Sequence, residues 1–194
     1  LCMNPDPEMT TLFRSMVGSL MYLSVWTRPN ISYAVNVLAR HLNYASQKLI
    51  HAERLIFQYL KGTRLHWITF YKDYPSGRAM KLYAYSDASD ADDPIARCTT
   101  GGYIVFYNGS PVAWSTGLLR LTTLSTCESE YVQAVLAAKE ILYLQEMLLF
   151  AGHEQKETTP LYEDNEAALK LSQNLIARSM TKHIARRFHF MLQC

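Results

Sequence analysis

Three acidic residues in three different local settings are the strongest chemical signal in this sequence. Asp87 ends an apolar, aromatic run that predicts a strand, Glu130 lies near the start of a long helical pattern, and Asp164 follows a short predicted strand. Carboxylates brought from separate elements to one point are the ligands that hard divalent cations such as Mg²⁺ require. A pair of such ions can hold both the attacking and the leaving oxygen of a phosphodiester.

Each of these carboxylates also has a structural explanation. Asp164 precedes a predicted helix, where aspartate is a preferred N-cap, and an aspartate at a strand end such as Asp87 often begins a turn. Glu130 is harder to explain, because the helical period places it on a buried, apolar face. A lone carboxylate there costs several kcal/mol unless a cation or strong hydrogen bonds compensate. Glu128, by contrast, lies in the first turn, where the helix dipole favours acidic side chains. Of the two glutamates, Glu130 is therefore the candidate metal ligand, and on these residues alone both a metal-binding and a structural role remain open.

The first part of the chain predicts a small helical unit. Apolar residues recur at three- and four-residue spacing, which predicts helices over 13–23, 31–42 and 52–60. Gly62 is expected to cap the third helix, and nothing in these helices has the character of a catalytic group. The turn-rich stretch around 75–77 marks the predicted boundary. The expected domains are therefore 1–70 and 80–194.

After this boundary the hydrophobic period changes to two, which predicts a strand from Met80 to Asp87. Two more strands are predicted on either side of Asn108-Gly109, a strong hairpin signal because both positions tolerate positive φ. A long helix is expected over 125–150 and a short strand over 161–163. A further helix is expected from Asn165, and a final basic helix over 181–192. This order of elements predicts an α/β fold.

The order strand-Asp, helix-Glu, strand-end-Asp resembles the ribonuclease H domain, in the version found in copia-type LTR retrotransposon polyproteins. The motifs that carry the resemblance cover most of the chain and follow in the family's order. They include Thr27-Arg28-Pro29, Tyr59-Leu60-Lys61-Gly62-Thr63, Glu128-Ser129-Glu130-Tyr131, Asp164-Asn165 and Thr181-Lys182-His183-Ile184. The upstream motifs look like the segment that joins reverse transcriptase to ribonuclease H in that family.

The resemblance implies a ribonuclease H-like mixed sheet flanked by helices, preceded by a small helical connection segment, with the C-terminal strand and helix of the family missing. It implies endonucleolytic cleavage of the RNA strand of RNA–DNA hybrids during reverse transcription. Asp87, Glu130 and Asp164 would be catalytic and would hold two Mg²⁺ (or Mn²⁺) ions. The implied partners are the hybrid and the reverse transcriptase portion of the same polyprotein. The implied setting is intracellular, in a cytoplasmic virus-like particle or the nucleus.

The composition is that of a globular protein, with 49% hydrophobic and 19% charged residues and a net charge of only +2. A phosphate-binding surface would therefore have to be local. The richest basic stretch supplies the predicted nucleic-acid contacts Arg178, Lys182, His183, Arg186 and Arg187. A solvated basic helix face explains this stretch equally well.

Two other classes of protein are disfavoured by the sequence. The four cysteines are scattered without C-x-x-C spacing, which disfavours both zinc binding and a disulfide framework. No uninterrupted apolar run is long enough to span a bilayer, so no membrane partner is expected.

Departures from the family pattern keep a second function open. Ser89-Asp90-Ala91-Asp92 stands where the family has an aspartate and a tryptophan, and Thr116-Gly117-Leu118-Leu119 replaces a basic stretch. The family's fourth acidic ligand would fall beyond Cys194, so this chain alone is expected to cleave weakly or not at all. The alternative is a catalytically inactive retrotransposon remnant that acts as a nucleic-acid or protein interaction module. A third possibility, another nuclease or integrase on the same fold, would require the upstream motifs to be accidental.

Overall fold

The computed structural model describes residues 6–71, 81–89, 99–119 and 126–165. The chain divides into two compact units, with the boundary between Thr69 and Phe70. The described part of the first unit is helical, and that of the second is mixed α/β. The helices predicted from Asn165 onward and over 181–192 lie outside the described residues, except for Asn165 itself.

The first unit contains the predicted helices and a short 3-10 turn between the first two. Helix α1 spans Pro7–Trp26, the 3-10 turn Pro29–Ile31, α2 Ser32–Ala39 and α3 Gln47–Gly62. Helix α1 begins where the Asp6 side chain accepts a hydrogen bond from the Glu8 N–H, with proline at the first helical position. The helices bury one apolar core, formed by Phe13, Val17, Leu20, Ile31, Val35, Leu38, Ala45, Ile50 and Ile56.

The predicted end of α3 is wrong in its detail. Gly62 is the last residue of the helix and does not adopt positive φ. The cap is Thr63, with φ −112° and ψ 28°. Its N–H and its hydroxyl both donate to the Tyr59 carbonyl, at 2.9 and 2.7 Å. A hydroxyl side chain thus satisfies the end of the helix without a left-handed residue.

Arg28 joins the 3-10 turn to the end of α3. Its Nη2 donates to the Thr63 hydroxyl at 2.5 Å and its Nη1 to the Thr63 carbonyl at 3.2 Å. Beside it, the Asn30 side-chain amide donates to the Tyr59 hydroxyl at 2.6 Å. The Thr27-Arg28-Pro29 and Tyr59-Leu60-Lys61-Gly62-Thr63 motifs therefore meet at one contact, which we call the Arg28 junction.

One charged side chain lies on the buried face of α3, between Ile50 and Ile56. Glu53 is 0% exposed, and neither of its carboxylate oxygens has a hydrogen-bond partner among the described residues. Burial raises the pKa of Glu53 to about 7, against a smaller opposing effect from the Arg54 guanidinium. The helical unit therefore contains a buried acid that its apolar pattern did not predict.

The second unit is built on a four-stranded mixed sheet with the order β3-β2-β1-β4. The strands are β1 Leu82–Ser89, β2 Thr100–Tyr107, β3 Ser110–Leu118 and β4 Leu161–Tyr162, and helix α4 spans Thr126–Phe150. β1, β2 and β3 pair antiparallel, whereas β4 runs parallel to β1. A parallel pair needs a long crossover connection, and α4 lies within it. This architecture confirms the predicted α/β fold.

The predicted hairpin is also present. Asn108 and Gly109 have φ of 53° and 81°, the left-handed conformations that a two-residue hairpin turn requires. Asn108 is buried, and its side-chain amide donates to the Tyr71 carbonyl at 2.7 Å. The contact with Tyr71 therefore stabilises the turn in addition to the backbone conformation of the turn itself.

Alternation along β1 decides which side chains meet α4. Leu82, Ala84, Ser86 and Ala88 are buried, and the residues between them are half-buried or exposed. Gly101, the register partner of Ala88, lies under Gln133 of α4. A Cβ at Gly101 would overlap the Gln133 side chain, which is itself buried. The missing side chain therefore lets α4 approach the sheet closely next to Glu130.

In the part of the chain that the structure describes, no helix is both long and apolar enough to cross a membrane.

Candidate metal centre

β1, α4 and the segment that follows β4 each deliver one carboxylate to the same point. One carboxylate oxygen from each of Asp87, Glu130 and Asp164 lies within 4.8 Å of the other two. Glu128, two residues before Glu130 on α4, is not part of this cluster. The convergence expected from the sequence is therefore present, and it involves the second glutamate of the motif.

Backbone contacts fix the three elements relative to one another. Asp87 lies near the end of β1, opposite Gly102 of β2. The next residue, Ala88, donates its N–H to the Glu130 carboxyl group and so ties α4 to β1. The Ala84 N–H donates to the Pro160 carbonyl at 3.0 Å, which aligns β4 beside β1 and carries Asp164 to the cluster.

Glu130 is the buried member of the cluster. It is only 4% exposed, and its Oε2 has no hydrogen-bond partner among the described residues. Burial, followed by the negative charges of Glu163 and Asp87, raises its pKa to about 8. A carboxylate in this position is poorly compensated by the protein alone, and a cation would supply the missing charge.

The donor set fits a hard divalent cation. All three groups are carboxylates, and the cluster contains neither histidine nor cysteine. Oxygen-only ligands suit Mg²⁺ or Mn²⁺, whereas zinc and copper sites use nitrogen and sulfur. Asp87 and Asp164 are exposed while Glu130 is buried. The cluster can therefore hold a metal ion near the surface, with Glu130 as the ligand on the buried side.

A further acid, Glu163, lies against this cluster, and sequence reasoning missed it. The Ser86 hydroxyl donates to its Oε2 at 2.8 Å, and its carboxyl group lies within hydrogen-bonding reach of Glu130. Burial raises its pKa, and the charge of Asp164 adds to this effect. Leu161 and Glu163 share one side of β4 and its extension, but a strand of two residues is too short for this alternation to be recognised from the sequence.

The predicted nucleic-acid contacts Arg178, Lys182, His183, Arg186 and Arg187 lie outside the described residues. Asp90 and Asp92, which belong to a departure from the family pattern, also lie outside the described residues.

Comparison with known proteins identifies the family. The chain is 36% identical over 179 residues to the retrovirus-related Pol polyprotein from transposon TNT 1-94 of Nicotiana tabacum, which is 92% of this chain. It is 35% identical over 187 residues, or 96% of its length, to the retrovirus-related Pol polyprotein from transposon RE2 of Arabidopsis thaliana. The chain belongs to the copia-type retrovirus-related Pol polyproteins.

The chain spans only 12–13% of the length of these two Pol polyproteins. It is also similar to a much shorter protein, the secreted RxLR effector protein 161 of Plasmopara viticola. These two are 35% identical over 132 residues, which cover 68% of this chain and 90% of the effector. No protein-family model and no solved structure matches the chain.

Proposed function

We propose that this segment of a copia-type Pol polyprotein is a ribonuclease H module, a metal-dependent endonuclease that cleaves the RNA strand of RNA–DNA hybrids during reverse transcription. The observation that carries the proposal is the convergence of Asp87, Glu130 and Asp164 within 4.8 Å. These carboxylates come from a strand, a helix and a strand end, in the order that the ribonuclease H resemblance requires. Membership of the Pol family supports the same assignment.

Asp87, Glu130 and Asp164 would hold two divalent cations, Mg²⁺ or Mn²⁺. When bound, such ions lower the pKa of the attacking water and stabilise the departing 3′ oxygen. The protein's own contribution is positional. Glu130 anchors the centre from the interior, and the two exposed aspartates present it where a phosphodiester backbone can approach.

We further propose that Arg178, Lys182, His183, Arg186 and Arg187 bind the backbone of the hybrid. Recognition would rest on the minor groove and the 2′-hydroxyl groups of the RNA strand, with little dependence on base sequence. The reverse transcriptase portion of the same polyprotein would be the protein partner. Cleavage would take place where the element copies its RNA, in a cytoplasmic virus-like particle or in the nucleus.

Cleavage of a labelled RNA–DNA hybrid tests the proposal. The chain is first extended by about 30 residues from a relative in the family, enough for one strand and one helix. The extended protein should cut the RNA strand with Mg²⁺ and stop when EDTA is added. Asp87→Asn and Glu130→Gln should each abolish the cut, because a neutral amide is a poor ligand for a divalent cation.

Glu128→Gln is the matched control, since it makes the same change on the same helix outside the cluster. It should retain cleavage. Equal loss of activity in Glu128→Gln and Glu130→Gln, with both variants folded, would refute the assignment of the site.

The similarity to a short effector protein favours a second candidate function. Almost the whole of that relative corresponds to this chain, and its name does not describe a Pol protein. A sequence similar to about two thirds of this chain thus makes up most of a short protein, which fits a role as a nucleic-acid or protein interaction module. An extended protein that binds the hybrid but never cuts it would favour this candidate over the nuclease.

A further inference from the structure

Glu163 has the surroundings of a metal ligand, although the ribonuclease H resemblance assigns it no role. It follows β4 directly, and one edge of its carboxyl group is fixed by the protein. The Ser86 hydroxyl donates to Oε2 at 2.8 Å, and the Asn165 N–H donates to the same group. The other oxygen, Oε1, is buried and has no hydrogen-bond partner among the described residues.

Glu130 presents a second oxygen of the same kind. Its Oε2 is buried without a partner, while the Ala88 N–H donates to its carboxyl group. The carboxyl groups of Glu130 and Glu163 lie within hydrogen-bonding reach of each other. Two carboxylates that close repel each other strongly away from water, unless a cation or a proton lies between them.

The two groups are held in place by opposite elements, so they cannot simply move apart. Glu130 is fixed to α4 and to the Ala88 backbone, and Glu163 is fixed through Ser86 to β1. Lysine and arginine nitrogens within 4 Å would neutralise the pair, but no salt bridge involves either glutamate within the described ranges. We propose that Glu163 is a fourth carboxylate ligand of the metal centre and binds a divalent cation together with Glu130.

This inference rests on the metal centre of the proposed function and extends it. Glu130 would then bind cations together with Asp87 and Asp164 and also together with Glu163. Glu163 is not part of the cluster of Asp87, Glu130 and Asp164, whose ligand atoms lie within 4.8 Å of one another. The centre would accordingly hold cations more tightly than three carboxylates can.

The test is Mn²⁺ binding by the full chain, measured from the electron paramagnetic resonance signal of the free ion, with Glu163→Gln, Glu130→Gln and the exposed control Glu154→Gln. Glu163→Gln should weaken Mn²⁺ binding by about tenfold or more, the scale of losses at metal sites. Its melting temperature should also respond less to added Mn²⁺ than that of the wild type. The control should match wild type in each measurement.

A second variant distinguishes direct ligation from positioning. Glu163→Cys with Cd²⁺ should show the ultraviolet thiolate-to-cadmium absorption above the wild-type background, and Glu154→Cys should not. If Glu163→Gln binds Mn²⁺ as well as wild type while Glu130→Gln does not, the inference is overturned and the three-carboxylate centre stands. If wild type itself binds no Mn²⁺, the inference and the proposed metal centre both fail.

Discussion

The buried acid of the helical unit gives the sharpest stability prediction. Glu53→Gln replaces the carboxyl group by an isosteric amide that cannot ionise. Because the pKa of Glu53 is raised from 4.5 to about 7 in the folded state, the folded protein keeps a proton that the unfolded chain releases. The stability that this proton represents is complete below pH 4.5 and is lost as the pH rises through about 7. The wild type should therefore lose more stability than the variant as the pH rises over this window.

The size of the effect on the free energy of unfolding follows from the shift in the pKa of Glu53. At 1.36 kcal/mol per pKa unit, the raised pKa of Glu53 lowers the free energy of unfolding, relative to its value at low pH, by about 1 kcal/mol at pH 5 and about 3 kcal/mol at pH 8. Glu53→Gln should thus gain about 2 kcal/mol more at pH 8 than at pH 5. The measurement is urea unfolding of both proteins at the two pH values, followed by circular dichroism at a helix-sensitive wavelength.

Glu8→Gln is the control, because Glu8 is an exposed glutamate in the same unit. The comparison separates the effect of burying the carboxyl group from the effect of removing one charge. If the gain from Glu53→Gln is the same at pH 5 and pH 8, Glu53 is not a buried acid with a raised pKa, and the reasoning is wrong.

Three further predictions concern packing, the Arg28 junction and the basic stretch. Gly101→Ala should lower the free energy of unfolding by about 1–3 kcal/mol through overpacking against Gln133, and adding Gln133→Ala should restore most of the loss. Urea unfolding of the single and double variants measures both effects, and a double variant no more stable than Gly101→Ala would contradict the prediction. Arg28→Lys should lose about 1–3 kcal/mol, because one ammonium cannot replace a guanidinium that binds two oxygens; a thermal melt identical to wild type would rule out a structural role for the junction. Replacing Arg186 and Arg187 by alanine should flatten the salt dependence of hybrid binding by about one unit per lost phosphate contact, and an unchanged slope in filter-binding assays would indicate a solvated face.

The elements that position the site could be predicted because local rules govern them. Period-two alternation predicted β1, Asn108-Gly109 predicted the hairpin, and the helical period predicted a buried Glu130. Each of these signals lies within a few residues of chain. The distinction between Glu128 and Glu130 also came from a local quantity, the 100° turn per residue.

The features that could not be predicted depend on tertiary contacts. Glu163 follows a strand of only two residues, too short for alternation to be recognised, and its role depends on Ser86 far away in sequence. The apolar side chains of Leu55 and Tyr59 on α3 are 50% and 45% exposed. Glu53 lies on the buried face of this helix. The orientation of a short helix in its unit is decided by its neighbours, and hydrophobicity alone does not fix it.

The short β4 strand has a consequence for the kinetics of folding. Ser86 and Glu163 are 77 residues apart, and only two residues of β4 pair with β1. Closing so long a loop for so small a gain in hydrogen bonds is unfavourable until α4 has already packed on the sheet. We therefore expect the β1–β4 pairing to form late and to open first. The carboxylate cluster that includes Asp164 would then exist only in the fully assembled unit, so a nascent or partly unfolded chain would lack the three converging carboxylates.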